Sequence, residues 1–271
     1  MTSQTQTAET FRALHAAPEI LVLPNAWDAA SAALMEMAGA KAVATSSAAV
    51  AWSHGFPDGN ALPVDRLVAT LEAIARTISV PLTADIEGGY SDDPDQVRET
   101  IARVIGAGAV GINIEDGKGG PDLLARKIEA ARGAAGAAGV PLFVNARIDV
   151  YLYRLAEGEA ALSETLSRAR RYQGAGADGI FVPGPAAPEL VARLAREIAL
   201  PLNVMGRAGV PTAKALQDLG VARLSSATGP FRAAYATLAT AMEAFLRDGD
   251  PAALAADGDG LPNLNARFAG R

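Results

Sequence analysis

Val80-Pro81-Leu82-Thr83-Ala84-Asp85-Ile86-Glu87-Gly88-Gly89-Tyr90 carries the reading of the whole chain. Its first half is a short run of apolar and small residues opened by proline. Its second half is acidic and glycine-rich, the pattern of a buried strand that ends in a polar loop. The same opening recurs at Val140-Pro141-Leu142 and Leu200-Pro201-Leu202. A second kind of opening, at Ala38-Gly39-Ala40, Ala107-Gly108-Ala109 and Ala175-Gly176-Ala177, with Leu219-Gly220-Val221 as a variant, ends a helix and leads into another strand. Glycine there serves a helix C-terminus that needs positive φ.

Between these openings lie Ala-rich stretches with Arg and Glu at helical spacing, so the chain is a series of βα units. Strands are expected near Leu21 to Pro24, Ala42 to Ser46, Leu82 to Asp85, Gly111 to Glu115, Leu142 to Ala146, Gly179 to Pro183, Leu202 to Val204 and Ala222 to Ser225. Eight parallel strands with helical crossovers predict an α/β fold, a (β/α)8 TIM barrel with an appended C-terminal helix. A doubly wound open sheet is the alternative with similar local patterns. Residues 1–271 read as a single barrel domain, with 233–271 as a C-terminal helix and tail. That segment is either a frayed end or a piece that packs on a neighbouring subunit.

The chain has 271 residues, half of them hydrophobic, a net charge of -6 and no cysteine. An acidic balance excludes a phosphate-neutralising surface, so nucleic acid is not an expected partner. Without cysteine there is no disulfide, thiolate ligand or thiol acid. No apolar run approaches the roughly 20 residues of a membrane span. Met1 to Thr10 lack the features of a secretory signal, which predicts a cytoplasmic protein with no membrane partner.

In a barrel the chemistry sits where strands end. The third strand ends in Asp85-Ile86-Glu87 and the fourth in Asn113-Ile114-Glu115-Asp116, which brings two acidic clusters together. Asp85 and Glu87, two apart in an extended segment, are expected on one side. Crowded carboxylates call for a cation, and an oxygen-only donor set favours Mg2+, with Mn2+ as the alternative. The competing structural reading pairs these acids with Arg147 and uses them as helix caps, a role that suits Asp92 and Asp116 better than metal binding. The fifth strand ends in Asn145-Ala146-Arg147-Ile148-Asp149, where Arg147 grips a substrate carboxylate or a buried acid, or both. Ser46 and Ser47 offer hydroxyl and backbone donors, and Asn203 on the seventh strand is ambiguous. Asp58 suits a Gly/Pro-rich turn. His54 reads as a solvated loop residue and His15 as helix surface.

Taken in order, Ser46, Asp58, Asp85-Ile86-Glu87-Gly88-Gly89-Tyr90, Ile114-Glu115-Asp116 and Asn145-Ala146-Arg147 resemble the isocitrate lyase/phosphoenolpyruvate mutase superfamily. The resemblance runs from Pro24-Asn25-Ala26-Trp27-Asp28 to Gly220-Val221-Ala222-Arg223. It implies a Mg2+-dependent barrel that stabilises an enolate beside a 2-oxo acid, and a dimer or tetramer that exchanges a C-terminal helix. Asp85, Glu87 (where most relatives have Asp) and Glu115 then form the metal shell, with Asp58 near its waters. Ser46, Ser47 and Arg147 bind the carboxylate of the substrate.

The lyases of that superfamily carry Lys-Lys-Cys-Gly-His after the fourth strand, whose cysteine is an acid, and the mutases carry a longer loop with Lys and Asn. This chain has Gly117-Lys118-Gly119-Gly120-Pro121, leaving Lys118 as the residue able to substitute. The expected activity is therefore carbon–carbon cleavage of a small 2-oxo or 2-hydroxy (di)carboxylic acid without a thiol. Catalytic roles fall to Asp58, Arg147 and Lys118, and substrate binding to Ser46, Ser47, Arg147 and Asn203. The alternatives are a phosphonopyruvate- or oxaloacetate-type hydrolase, decarboxylase or mutase, or a 2-oxo acid binder with weak catalysis.

Overall fold

A computed structural model describes residues 3–255 and 260–269. The first half of the chain runs α1 (Gln4–Ala16), β1 (Leu21–Leu23), β2 (Asn25–Ala26), α2 (Ala29–Met37), β3 (Val43–Thr45), α3 (Ser47–Ser53), α4 (Val64–Thr77), β4 (Leu82–Asp85), α5 (Pro94–Gly106) and β5 (Gly111–Glu115). There follow α6 (Pro121–Ala138), β6 (Phe143–Arg147), α7 (Gly158–Gly174), β7 (Gly179–Phe181), α8 (Pro188–Glu197), β8 (Leu202–Met205), α9 (Ala213–Asp218), β9 (Arg223–Ser225), α10 (Gly229–Asp248), α11 (Ala252–Ala255) and α12 (Leu264–Ala269).

All pairings are parallel, in the order β1-β9-β8-β7-β6-β5-β4-β3-β2. The nine segments make eight barrel strands, because β1 and β2 are halves of the first, divided at Pro24. Proline has no N–H for the ladder, so the strand breaks there. Its first half pairs with β9 and its second with β3, which closes the barrel. The glycines ending the αβ connections take the predicted conformation, with φ of 95° at Gly39, 102° at Gly108, 106° at Gly176 and 91° at Gly220.

Helix α1 plugs the N-terminal mouth. Ser3 caps it by accepting from the Gln6 N–H at 3.1 Å. Phe11 and Ala8 on its inner face are fully buried. Gly111 makes room for this plug, since a Cβ there would lie 2.7 Å from the Phe11 ring and 2.8 Å from Thr83 Oγ1. His15, expected on the helix surface, is instead buried with its ring stacked on Phe143 at 4.0 Å and edge-on to Phe11 at 4.7 Å. The helix faces the inside of a barrel mouth, a placement that helical periodicity does not reveal.

The predicted C-terminal helix is present as α10, starting slightly earlier at Gly229. It buries only Phe231 among the described residues of this chain, while Tyr235, Leu238 and Leu246 stay exposed. Part of the predicted tail, residues 256–259 and 270–271, lies outside the described residues. No described helix is long and apolar enough to cross a membrane.

Candidate active site

The C-terminal ends of β4, β5 and β6 deliver Asp85, Glu115 and Arg147 to one mouth. The register sets Asp85 opposite Asn113 and Glu115 opposite Arg147. Arg147 Nη1 lies 2.5 Å from Glu115 Oε2, and its Nε donates to Asp149 Oδ1 at 2.7 Å. The buried ion-pair reading of Arg147 is met here, and the same ion pairs hold the guanidinium on the wall of a cavity. Burial works against its charge, but Glu115, Asp149 and Asp85 outweigh burial and hold it protonated.

That cavity, of about 140 Å3, is lined by Ser46, Ser47, Asp58, Asp85 and Arg147 on its polar side. Phe181, Met205 and Ala227 give it an apolar side, and Asn25, Ser225 and Thr228 complete much of the rest. Ser47, instead of pointing free donors inward, gives its N–H and its hydroxyl to Asp85 Oδ2 at 3.0 and 2.8 Å. The Asp85 N–H in turn donates to Thr45 Oγ1 at 2.9 Å. Ser46 caps α3 through a long contact, 3.4 Å from the Ala49 N–H. Asp58 is held above the ordinary carboxylate range by burial and by Asp85, with Arg147 and Ser47 opposing.

Glu87 does not share a strand face with Asp85. The strand ends at Asp85, and Glu87 takes φ of 52° in the left-handed region, turning its side chain toward the 59–60 loop. There Oε2 accepts from the Gly59 N–H at 2.9 Å and from the Asn60 N–H, and Oε1 accepts from Tyr90 at 3.3 Å. Burial raises its pKa, with Asp58 and Asp85 adding to the effect and the Asn60 and Gly59 N–H groups opposing it. Burial likewise raises Glu115, which Arg147 offsets only in part while Asp85, Asp149 and Glu87 add to the rise.

Glu115 opens onto a second, adjoining cavity of about 290 Å3 lined by Asn60, Gly88, Lys118 and Lys127. Lys118 stands here, outside the smaller cavity's wall, with Nζ 5.3 Å above the Tyr153 ring. Lys127, buried, donates to the Gly88 carbonyl at 2.7 Å and anchors the loop that carries Glu87. Asn203 lies one layer deeper than Met205 on β8, in the barrel interior, with neither amide atom hydrogen-bonded.

The capping roles expected for Asp92 and Asp116 belong to other residues. Asp93 caps α5 and Gly120 stands at the cap of α6. Asp116 instead accepts from Tyr172 at 2.6 Å, Arg168 at 2.9 Å and the Asp149 N–H at 2.9 Å, bracing the loop behind Arg147. Asp92 is an exposed partner of Lys127 at 3.1 Å. Asn25, on β2, and Thr228, at the cap of α10, escaped the sequence reading, since only the fold brings them to the cavity wall. His54, exposed, bonds Thr70 Oγ1 at 2.9 Å and stays out of the cavity.

Among the described residues, no three Asp, Glu or His side chains converge enough to hold an ion by themselves. The donor set still fits a hard divalent cation that keeps much of its water: acids in excess of cations, and Asp85 oriented by Ser47 on the cavity wall. Burial first, and neighbouring acids after it, raise Asp58, Glu87 and Glu115, and a bound cation would offset both effects.

The family model described as phosphoenolpyruvate phosphomutase matches residues 11–246. "Uncharacterized protein Rv1998c" of Mycobacterium tuberculosis is 38% identical over 89% of this chain and 90% of its own length. The 2-methylisocitrate lyase of Bacillus subtilis is 29% identical over 80% of this chain and 74% of its own. Among solved structures, 2,3-dimethylmalate lyase superposes with a TM-score of 0.85 at 26% identity, covering 100% of this chain and 94% of that one.

Proposed function

The chain belongs to the phosphoenolpyruvate phosphomutase family, within the isocitrate lyase/phosphoenolpyruvate mutase superfamily, and from that premise we propose that it cleaves a carbon–carbon bond in a small 2-oxo or 2-hydroxy (di)carboxylic acid through an enolate. The superfamily is one of lyases and mutases, generally Mg2+-dependent. The observation that carries the finer reading is the single cavity where Asp58, Asp85 and Arg147 meet, with Glu115 paired to Arg147 behind it.

In this proposal Asp85, Glu87 and Glu115 would hold Mg2+, Asp85 directly or through water and Glu115 largely through water, with Asp58 near those waters. When bound, the ion withdraws electron density from the 2-oxo acid and so favours the enolate. Arg147 binds the substrate carboxylate; its ion pairs to Glu115 and Asp149 fix the guanidinium plane in advance. Ser46 and Ser47 close the same end of the cavity. Phe181 and Met205 face the rest of the substrate and exclude water from the reacting carbons. Lys118 stands at the adjoining cavity, where an acid is needed as the bond breaks. Asn203, buried one layer below, does not line this cavity.

The proposal includes a homo-oligomer, dimer or tetramer, in which α10 is exchanged between subunits. It is supported by the exposed Tyr235, Leu238 and Leu246 on α10 and by an apolar groove of about 380 Å3 beside the exposed Val22 of β1.

The test is a Mg2+-dependent panel of oxaloacetate, isocitrate, methylisocitrate, citramalate and phosphonopyruvate, followed for pyruvate, glyoxylate and phosphate. Cleavage of a small dicarboxylate is expected. Inactivity on every member, with 2-oxo acid binding intact, would favour a binding protein. An Asp85→Ala variant that kept full Mg2+ affinity would sink the ligand set.

A further inference from the structure

Asn113, on β5, stands opposite Asp85 in the strand register and lines the same cavity of about 140 Å3. The residue is only 5% exposed, and the cavity is where that exposure lies. A carboxamide can sit two ways round, with either its oxygen or its nitrogen toward the barrel interior. Here the groups beneath it decide.

Arg223 is fully buried on β9, four places from β5 in the sheet order, and its side chain crosses the barrel interior. Its Nη2 donates to Asn113 Oδ1 at 3.3 Å. Asn145 Nδ2, from the adjacent strand β6, donates to the same oxygen at 2.9 Å. Gly179 makes room for this second amide, since a Cβ there would lie 2.9 Å from Asn145 Oδ1. Burial lowers Arg223 to about 9, with Asp85 opposing, so the group is still a guanidinium at neutral pH. A guanidinium has donors and no acceptor, so only the oxygen of Asn113 can face it. Turning the amide over would set an N–H2 group against two donors. Nδ2 is thus left toward the cavity, without a partner among the described residues and, unlike both amide atoms of Asn203 below, not sealed in. A buried guanidinium whose Nε and Nη1 lack acceptors is costly, and the bond it does make is the one to Asn113.

We propose that Asn113 is a substrate-binding residue, its Nδ2 donating to an oxygen of the bound 2-oxo or 2-hydroxy acid, and that Arg223 positions it. This rests on the reading of the site as one for such acids. The donor lies on the strand between β4, which carries Asp85, and β6, which carries Arg147. Asp58 and Asp85 offer the cavity acceptors, whereas Asn113 offers it a neutral donor fixed in advance. A ligand that set an apolar group there would leave the N–H2 unpaired, so the residue selects for oxygen at that point.

The test uses the folded protein with Mg2+ and oxalate, a small dicarboxylate, as the probe. In the nitrogen–proton spectrum of the wild type, one Asn113 side-chain N–H is expected to move downfield and exchange more slowly with solvent when oxalate binds. Asn113→Leu should weaken oxalate about thirtyfold by calorimetry, with Mg2+ affinity unchanged. Arg223→Met should weaken oxalate less and move the Asn113 amide signal before any oxalate is added. Arg223→Lys, which keeps a donor without an acceptor, should restore both values. The proposal is overturned if oxalate binds and leaves both Asn113 side-chain protons unmoved, or if Asn113→Leu binds it as tightly as the wild type. The positioning role is overturned if Arg223→Met leaves the Asn113 signal and the oxalate affinity at their wild-type values. Failure of the wild type to bind oxalate would overturn the reading of the site, and this proposal with it.

Discussion

At the C-terminal mouth of the barrel, burial raises Asp58, Glu87 and Glu115, while at the N-terminal mouth it lowers His15 to about 3. The cause is shared, since a low-dielectric interior disfavours whichever form is charged. The surroundings differ. The upper mouth keeps its charges by placing Arg147 between Glu115 and Asp149, and leaves an excess of acid facing a cavity. The lower mouth keeps its titratable ring neutral between Phe11 and Phe143, with Nδ1 donating to the Phe11 carbonyl at 2.9 Å. One end stores electrostatic demand for a ligand, and the other stores only packing.

Removing one partner from the upper network should be the most damaging change. Arg147→Met leaves Glu115 and Asp149 buried without a cation, and urea unfolding at neutral pH should show a loss of about 4 kcal/mol. Adding Glu115→Gln to that variant should recover part of the loss; no recovery would mean that packing, and not unpaired charge, is the cause. At the other mouth, Phe11→Ala should cost about 3 kcal/mol through the cavity it opens, with Mg2+ affinity untouched. A change in Mg2+ affinity would show that the two mouths are coupled.

The third test is one of pH. The folded pKa of His15 lies below its unfolded value, so the unfolded chain takes up the proton first as pH falls. Its contribution to stability is complete above about 6.5 and is lost as pH falls toward about 3. The slope is up to ~1.4 kcal/mol per pH unit. His15→Phe should flatten the acid side of a thermal unfolding profile, and an unaltered profile would count against the buried neutral ring. The smallest effect expected is from Ser3→Ala, about 1 kcal/mol by loss of the cap that starts the plug helix, read in the same unfolding experiment.

The barrel was legible because its evidence is local and repeated. Proline-opened strands and glycine-ended helices follow from backbone rules that do not depend on distant residues, and two strands, Leu82–Asp85 and Gly111–Glu115, lie where the pattern places them. The division of the first strand at Pro24 was missed, since only its pairing with two different neighbours reveals it. Asp85, Glu115 and Arg147 were legible as strand-end residues. Glu87 was read on the wrong geometry, because alternation assumes extended backbone and this residue has φ of 52°.

From sequence alone came the periodic βα architecture, the acid-rich strand ends and the absence of a thiol, all properties of residue type and spacing. Tertiary structure decided which acids share a cavity, that Asp116 braces and does not cap, that His15 is interior, and that Lys118 meets Tyr153 across two loops. The physical reason is that hydrogen bonds and desolvation depend on distances between residues far apart in the chain. For the C-terminal mouth, that difference separates a set of plausible ligands from a cavity whose wall brings Asp58 and Asp85 together with Arg147.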